Sequence, residues 1–338
     1  MSAAAEPPGN AGVSPARAQD AEAHPLKRLA RAVFQRLVLL VLEVAVRLLL
    51  RTARVVPPGT ALWLGGLLGD AAGRLPLTDM RRARSHLARA FPEQTPAWQA
   101  RTVRRCFRHF GRMALWTLAT MHIDPRRLRR RCAVEGADNW RILARACRSG
   151  EGTMGMAGHF GNWELLSRVA ATAVPLTVIG RRMHWPWADK LVWESRASGG
   201  ARLVYQDDDV RAVIRELRSG RYVATLPDQD IPRLTGDWVP WFGHAAYTPT
   251  GPAVLAQLAG GWVQPGQCFL VHRGGYHWTW VLHCGPRVRF ARVGDRAAGA
   301  RAVMAWTMAY EEALVRRHPE QWVWWHRRWR TQPPAAPA

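Results

Sequence analysis

The sequence predicts an α/β fold: a mostly parallel or mixed sheet flanked by helices, preceded by a hydrophobic and basic helical region. From about residue 150 onward, short apolar segments alternate with helical ones, which is the pattern of strand–helix units in a largely parallel sheet. Two later segments, 262–274 and 277–286, are typical of an antiparallel pair of strands. With 338 residues, 48% of them hydrophobic, the chain can bury one large core or two smaller ones.

The N-terminal part is predicted to consist of a tail and membrane-associating helices. Residues 1–25 are rich in Ala, Pro and Gly and lack a hydrophobic period, which predicts a disordered tail. Residues 26–79 contain an apolar stretch over 29–50, interrupted by charged side chains, and a second short apolar helix after a proline break. A spanning helix needs about 20 residues with few charges, so this stretch is a poor spanning segment. Flanking arginines favour a helix in the membrane or along its interface, and a buried helix of a soluble domain is the alternative.

The remainder is predicted to form one folded domain over residues 80–330, followed by a disordered tail at 331–338. Its first part, 80–148, is helical and very basic, because apolar residues recur at near-helical spacing between arginines. Its second part, 149–330, is the α/β region, which includes a final helix over about 298–317.

The charge of the chain indicates an anionic partner. Its 48 basic residues against 25 acidic ones give a net charge of +23, and nearly all the positive charge is arginine. Arginine binds phosphate through a planar fork of N–H donors. The 18 tryptophans favour a membrane surface, since Trp and Arg together suit an interface that is apolar on one side and wet on the other. A basic nucleic-acid-binding protein is the rival class, but it would carry a recognisable binding module. The sequence shows none, so we expect no nucleic acid.

The cysteines predict neither a disulfide framework nor a metal site. There are five, and they form no CxxC pair and no metal-binding spacing with histidine. An odd number without a framework fits a reducing compartment, so we interpret them as small buried apolar residues.

The segment GHFGNWEL at 158–165 is the clearest candidate for chemistry. If the apolar residues before it form a strand, Asn162 is a natural N-cap for the helix that follows. Gly158 and Gly161 then permit a tight turn that presents His159 at the carboxyl end of the sheet, where α/β folds place ligands.

Glu164 lies in the first turn of that helix, from where its carboxylate could reach an imidazole nitrogen of His159. A carboxylate partner fixes the tautomer of a histidine and raises its basicity. The sequence contains neither a GxSxG elbow nor a paired cysteine, so no enzyme nucleophile is evident. Such a base suits activation of a substrate hydroxyl that attacks an acyl donor directly. Amides at the helix N-terminus, around Gly158, Gly161 and Asn162, would stabilise the oxyanion. A purely structural turn is the alternative interpretation.

This segment resembles the His-x-x-x-x-Asp/Glu motif of the glycerolipid acyltransferases. It is closer still to the form found in the bacterial lipid A biosynthesis (late) acyltransferases of the lauroyl and myristoyl type. The similarity continues in the same order over about residues 30–330. It runs through IGRRM, ESRASGG, LRSGRYVATLPDQD and GDWVPWFGHAAYTPTGPAVLA to the C-terminal PEQWVWWHRRWR.

The resemblance implies a glycerol-3-phosphate acyltransferase-like fold and an acyl-transfer reaction. The family transfers a fatty acyl chain from an acyl carrier protein thioester to a hydroxyl of an anionic glycolipid, a lipid A precursor. It works at the cytoplasmic face of the bacterial inner membrane. By this resemblance His159 is the general base, Glu164 is its orienting partner, and no covalent acyl-enzyme forms. The implied partners are the acyl carrier protein, the glycolipid and inner-membrane lipids, with no cofactor beyond the acyl donor. The oligomeric state stays open.

Four further residues fall at positions that match the family and are implied to bind substrate: Arg181, Arg196, Asp228 and Asp230. Arginines beside the histidine would hold a phosphate or the polarised thioester carbonyl, and Asp228 would hold an arginine in place. The alternatives are surface charge for the arginine at 181, and a turn before Pro232 that the two aspartates merely shape.

Two questions stay open at this stage. The acceptor could be another glycolipid or a phospholipid, with acyl coenzyme A as donor. The sequence argues only weakly against this alternative. The tryptophans of the C-terminal signature could pack in the core or form an interfacial belt; they are Trp322, Trp324, Trp325 and Trp329.

Overall fold

The computed structural model describes residues 33, 43–44, 48, 51–75, 78–275 and 277–334. The chain divides into two compact units, Met1–Thr52 and Ala53–Ala338. In the first unit the described residues are helical. The predicted tail at 1–25, most of the apolar stretch at 29–50, and residues 335–338 of the second predicted tail lie outside the described residues.

The second unit begins with helices that precede the α/β region. They are α1 (Pro58–Ala72), α2 (Thr78–Ala90), α3 (Pro96–Thr120) and the short α4 (Pro125–Arg129). Helix α1 packs closely on α3 because glycines face each other. A Cβ atom on Gly65 or Gly69 would collide with the backbone of α3, and one on Gly111 would collide with α1. None of the helices in the part of the chain that the structure describes is long and apolar enough to cross a bilayer.

The predicted α/β region is confirmed. Its strands are β1 (Ala133–Glu135), β2 (Thr153–Met156), β3 (Leu176–Gly180), β4 (Arg202–Tyr205), β5 (Tyr222–Thr225), β6 (Gly236–Trp241), β7 (His244–Pro249), β8 (Trp262–His272), β9 (Trp278–Cys284) and β10 (Val288–Arg289). The helices between and after them are α5 (Ala137–Arg148), α6 (Trp163–Ala170), α7 (Pro186–Ala197), α8 (Val210–Arg218), α9 (Gly251–Leu258) and α10 (Arg296–Arg317), followed by a 3₁₀ turn at Pro319–Gln321.

Within the described residues the strands form an eight-stranded sheet and a separate hairpin of β6 and β7. The sheet has the order β1-β9-β8-β2-β5-β3-β4, and β10 pairs with β8. Strand β2 runs parallel to β5 and β8, and β3 runs parallel to β5 and β4. The antiparallel pair predicted from the sequence is β8 with β9. The sheet is therefore mostly parallel, and its buried central strands explain the near-continuous apolar runs.

The C-terminal signature belongs to the core. Trp322, Trp324 and Trp329 are buried, and Trp325 is half-buried against that cluster. Trp322 and Trp324 lie edge to face with ring centroids 4.8 Å apart, a favoured aromatic arrangement. The open question about these tryptophans is thus settled in favour of packing.

The predicted burial of the cysteines is confirmed for four of the five. All five are free thiols, and four of them are buried. Cys132 is half-buried beneath the end of α4, where its thiol reaches the carbonyl of Leu128.

A fully buried cation fixes α6, the helix that begins at the candidate motif. The guanidinium of Arg168 donates to the carbonyls of Thr120, the last residue of α3, and of Met121 and Ile123 just beyond it. Those carbonyls have no partner within the helix, and a cation suits the negative end of its dipole. The side chain of Asn162 donates to Thr117 of the same helix. Helix α3 therefore holds both ends of α6 in place.

Candidate active site

The candidate site lies at the carboxyl edge of the parallel strands. His159 follows β2, Asp228 follows β5 and Arg181 follows β3, and these three strands are neighbours in the sheet. A cavity of about 730 Å³ opens at this edge, in the size range of small-molecule sites. The predicted site residues on its wall are His159, Glu164, Arg181, Arg196 and Asp230.

The turn before α6 forms as predicted, but its glycines serve different purposes. Gly161 has a left-handed backbone with φ of 60°, a conformation that favours glycine. Asn162 caps α6, because its side-chain oxygen accepts from the amide of Leu165 at 2.9 Å. Gly158 is needed for space: a Cβ atom there would overlap the carboxyl group of Glu311.

The oxyanion role predicted for this turn is not supported at two of its three residues. The amide of Gly161 donates to the carbonyl of Gln321 at 2.8 Å, and the amide of Asn162 donates to Cys268 at 2.6 Å. These donors are already used, because β8 and the C-terminal segment pack against both sides of the turn. They cannot also receive a developing oxyanion.

The carboxylate that contacts His159 is Asp228 rather than the predicted Glu164. The Nδ1 atom of His159 lies 2.7 Å from Oδ1 of Asp228, and the backbone amide of His159 donates to Oδ2 at 2.8 Å. Trp322 also donates to Oδ2, at 3.0 Å. The expectation that Asp228 holds an arginine is corrected as well, since its hydrogen-bond partners are this histidine and this tryptophan.

Asp228 is fully buried, yet it is the ionised member of the pair. Burial raises the pKa of Asp228. The charge of His159 and the hydrogen bonds from its ring and backbone outweigh burial, so the pKa lies well below its usual range. An ionised Asp228 accepts a hydrogen bond from the Nδ1–H group of His159, which assigns the tautomer of His159 with its lone pair on Nε2.

Glu164 forms a different pair on the cavity wall. Its two oxygens accept from Nη2 and Nε of Arg196 at 2.7 and 2.9 Å. The indole of Trp163 donates to the same carboxylate at 3.1 Å. The helical geometry of α6 explains the difference, since its first turn directs the carboxylate towards α7, which carries Arg196. Bidentate pairing fixes both side chains, and the charge of Glu164 raises the pKa of Arg196 despite the opposing effect of burial.

Two polar side chains that the sequence interpretation missed border the histidine. The amide nitrogen of Gln229 lies 3.0 Å from Nε2 of His159 and 3.4 Å from Nε2 of His326. The rings of His159 and His326 are 5.0 Å apart. Burial, and then the charge of His159, lower the pKa of His326 to about 4, so it is neutral at physiological pH. Gln229 therefore donates to the lone pair on Nε2 of His159.

Of the other charged residues on the cavity wall, Asp230 already has hydrogen-bond partners. Both oxygens of Asp230 accept from Thr331, from its amide at 2.6 Å and its hydroxyl at 2.8 Å. Asp230 thus anchors the C-terminal segment beside the cavity. Arg181, Arg233 and Arg330 also line the wall, and Arg181 is exposed. Within the described residues, no group of three or more His, Cys, Asp or Glu side chains is arranged to hold a metal ion.

Comparison with known proteins assigns this chain to a class of enzyme. The family described as bacterial lipid A biosynthesis acyltransferase matches residues 33–331. The chain belongs to this family, and it is an acyltransferase. Membership supports acyl transfer in lipid A biosynthesis, with a lipid A or glycolipid substrate.

The relatives share about a quarter of their residues with this chain. It is 25% identical to the lipid A biosynthesis palmitoleoyltransferase of Escherichia coli (strain K12) over 271 residues, 79% of this chain and 85% of the relative. It is 27% identical to the lipid A biosynthesis lauroyltransferase of the same organism over 282 residues, 80% of this chain and 87% of the relative. A lipid A biosynthesis acyltransferase of Shigella flexneri is 25% identical over 271 residues.

Proposed function

We propose that the protein transfers a fatty acyl chain from an acyl carrier protein thioester to a hydroxyl of a lipid A precursor. The observation that carries this proposal is a histidine–aspartate pair on the wall of an arginine-lined cavity, in a chain of this family. The residue types of the site, its geometry and the family of the chain all support one reaction, in which a hydroxyl is activated for attack on an acyl carbon.

In the proposed reaction His159 is the general base, and Asp228 orients it. Nε2 of His159 takes the proton of the acceptor hydroxyl while the hydroxyl oxygen attacks the thioester carbonyl. The new C–O bond forms, the C–S bond breaks, and the protonated histidine returns the proton to the thiolate. Asp228 stabilises the imidazolium that forms between these steps.

Direct transfer without a covalent acyl-enzyme is supported by the cavity wall. Among the described residues that line it, none is a serine or a cysteine, the side chains that most often form acyl-enzymes. Glu164 acts in this scheme through Arg196, whose guanidinium it holds at the edge of the cavity.

The donor and acceptor are tested together with the purified protein. A lipid A precursor is incubated with either an acyl carrier protein thioester or an acyl coenzyme A of the same chain, and products are identified by mass spectrometry. We expect acylated glycolipid with the carrier-protein donor. Efficient transfer from coenzyme A alone would favour the alternative donor, and transfer only to phospholipid acceptors would contradict the lipid A assignment.

We propose that Arg181 binds the phosphate of the acceptor. It is exposed at the end of β3 on the cavity wall, where a planar guanidinium could grip a phosphate with two hydrogen bonds. In Arg181→Lys the charge remains but the fork is lost. Steady-state kinetics should show KM for the lipid acceptor raised several-fold with kcat little changed.

The neighbouring Arg182 provides a matched control. It does not line the cavity, and its guanidinium pairs with Asp207 and Asp208. Arg182→Lys should leave the acceptor KM near the wild-type value. A fall in kcat at unchanged KM for Arg181→Lys would instead place that guanidinium on the thioester oxygen.

We propose that the protein works at the cytoplasmic face of the bacterial inner membrane and that α1 contacts the lipid. The side of α1 opposite α3 exposes Trp63, Leu67 and Leu68. Exposed arginines of α3 are Arg101, Arg104, Arg105 and Arg108. Exposed apolar side chains and exposed basic ones each suit the headgroup boundary of an anionic bilayer.

Polar substitution of this patch should weaken membrane binding. We expect the double variant Trp63→Ser, Leu67→Ser to sediment less with anionic vesicles, most clearly at high salt, where electrostatic attraction is screened. Val210→Ser with Val293→Ser is the control, because these valines are similarly exposed but lie elsewhere on the chain. Equal loss of binding in both double variants would contradict a specific role for α1.

A further inference from the structure

A second acidic side chain lies behind the catalytic pair and is not used by the mechanism above. Glu311 of α10 is 3% exposed. Its carboxyl group lies against Gly158, the residue immediately before His159, where a Cβ atom would overlap it. A glycine at 158 therefore makes room for this carboxyl group.

The hydrogen bonds of Glu311 depend on its protonation state. As a carboxylate it has no hydrogen-bond partner among the described residues, since the nearby indole of Trp322 already donates to Asp228 at 3.0 Å. As a carboxylic acid it could donate, and the carboxylate of Asp228 is close by, because Asp228 accepts from the amide of His159, the residue next to Gly158. An ionised carboxyl group buried without a partner is very unfavourable, whereas a protonated one can donate.

The buried charges around Glu311 also favour its protonated form. The charged groups that face Glu311 are Asp228, after β5, and Arg328, in the C-terminal segment. Arg328 is fully buried and donates to Tyr247 and Thr248 rather than to a carboxylate. One buried cation can balance one buried anion. Asp228 takes that role, because it receives three hydrogen bonds from His159 and Trp322.

We propose that Glu311 is a positioning residue that stays protonated and donates a hydrogen bond to Asp228, so that a single negative charge stands behind His159. This inference rests on the proposed role of His159. Burial, and then the charge of Asp228, raise the pKa of Glu311 well above its usual range, in agreement with the geometry. The hydrogen bond holds the Asp228 carboxylate in line with Nδ1. It also limits the negative charge that would otherwise make the imidazolium slow to release its proton.

A stability measurement tests the protonation state without any substrate. A carboxyl group whose pKa is raised on folding stabilises the folded protein fully below its unfolded pKa, and this contribution is lost as the pH rises. Wild-type protein should therefore lose stability relative to Glu311→Gln as the pH rises above about 4.5, the ordinary value for this group. The folding equilibrium constants should diverge tenfold per pH unit, about 1.36 kcal/mol, until Glu311 ionises.

The matched control is Glu312→Gln, one residue further along α10. Glu312 pairs with Arg316 at 2.7 Å, so its replacement should not make the protein more stable as the pH rises. A constant difference between Glu311→Gln and wild type above pH 5 would mean that Glu311 is ionised in the folded protein, and the proposal would be overturned whatever the enzyme's substrate.

Kinetics test the positioning role. The amide of Glu311→Gln can still donate to Asp228, so acyl transfer should remain within about threefold of wild type, a fraction of one hydrogen bond. Glu311→Leu cannot donate, so kcat should fall at least about tenfold, near the lower end for one hydrogen bond to a charged group. The apparent pKa of the acid limb of the pH–rate profile should also shift. Equal loss in both variants, or no loss and no shift in a folded Glu311→Leu, would contradict the proposal.

Discussion

His159→Ala is expected to abolish acyl transfer while leaving folding and membrane binding unchanged. Loss of a general base alone costs roughly 10²–10⁴-fold in rate. The side chain is only 21% exposed, but it faces the cavity, so its removal should not disrupt the core. Transfer is measured with saturating donor and acceptor, and folding by thermal unfolding.

His122→Ala is the appropriate control for this experiment. His122 is exposed and lies beyond the C-terminus of α3, outside the cavity lined by His159. The control should retain full activity. If His159→Ala kept more than about a tenth of the wild-type rate, well above the residual rate expected without a base, the histidine would not be the base.

Asp228→Asn should be nearly as damaging, although it preserves the shape of the side chain. The amide of asparagine can present either its oxygen or its NH₂ group to Nδ1, and it carries no charge to stabilise an imidazolium. The same change in a histidine–aspartate pair of another enzyme class costs about 10⁴-fold, so we expect a kcat at least 10²-fold below wild type.

Asp230→Asn distinguishes this effect from a general disturbance of the loop. Asp230 lies two positions further along, and its oxygens bind Thr331 rather than His159. Its replacement should reduce activity far less than Asp228→Asn. A comparable loss in both variants would indicate that the loop conformation matters rather than the charge behind the histidine.

The fold could be predicted because its signals are local. The strand before Gly158, the asparagine cap of α6 and the final helix each depend on residues close together in sequence, and the structure confirms them. The site was only partly predictable for the opposite reason. Glu164 was a reasonable partner for His159 from sequence proximity, whereas the carboxylate that contacts it is 69 positions away.

The sequence gives almost no indication of which side chains from distant segments meet at the site. Glu311 and Glu312 are adjacent and look alike in the sequence. Yet the first is buried behind the site, and the second pairs with Arg316 near the surface. The difference arises from the orientation of α10 against the sheet, which periodicity cannot give. Gln229 lies between Asp228 and Asp230, and the sequence pattern points to the two aspartates rather than to the glutamine.

The position of the C-terminal segment across the catalytic turn has a consequence for how the protein is made. The segment supplies a carbonyl to Gly161 and an indole to Asp228, whose partner Trp322 is 94 positions further along the chain. A chain leaving the ribosome therefore contains His159 and Asp228 long before it can bury them. Contacts between such distant segments form slowly, because a long loop must close first. Acyltransferase activity should consequently appear only after translation has passed Trp322. Chains that stop within α10 should remain inactive and expose apolar surface that favours aggregation.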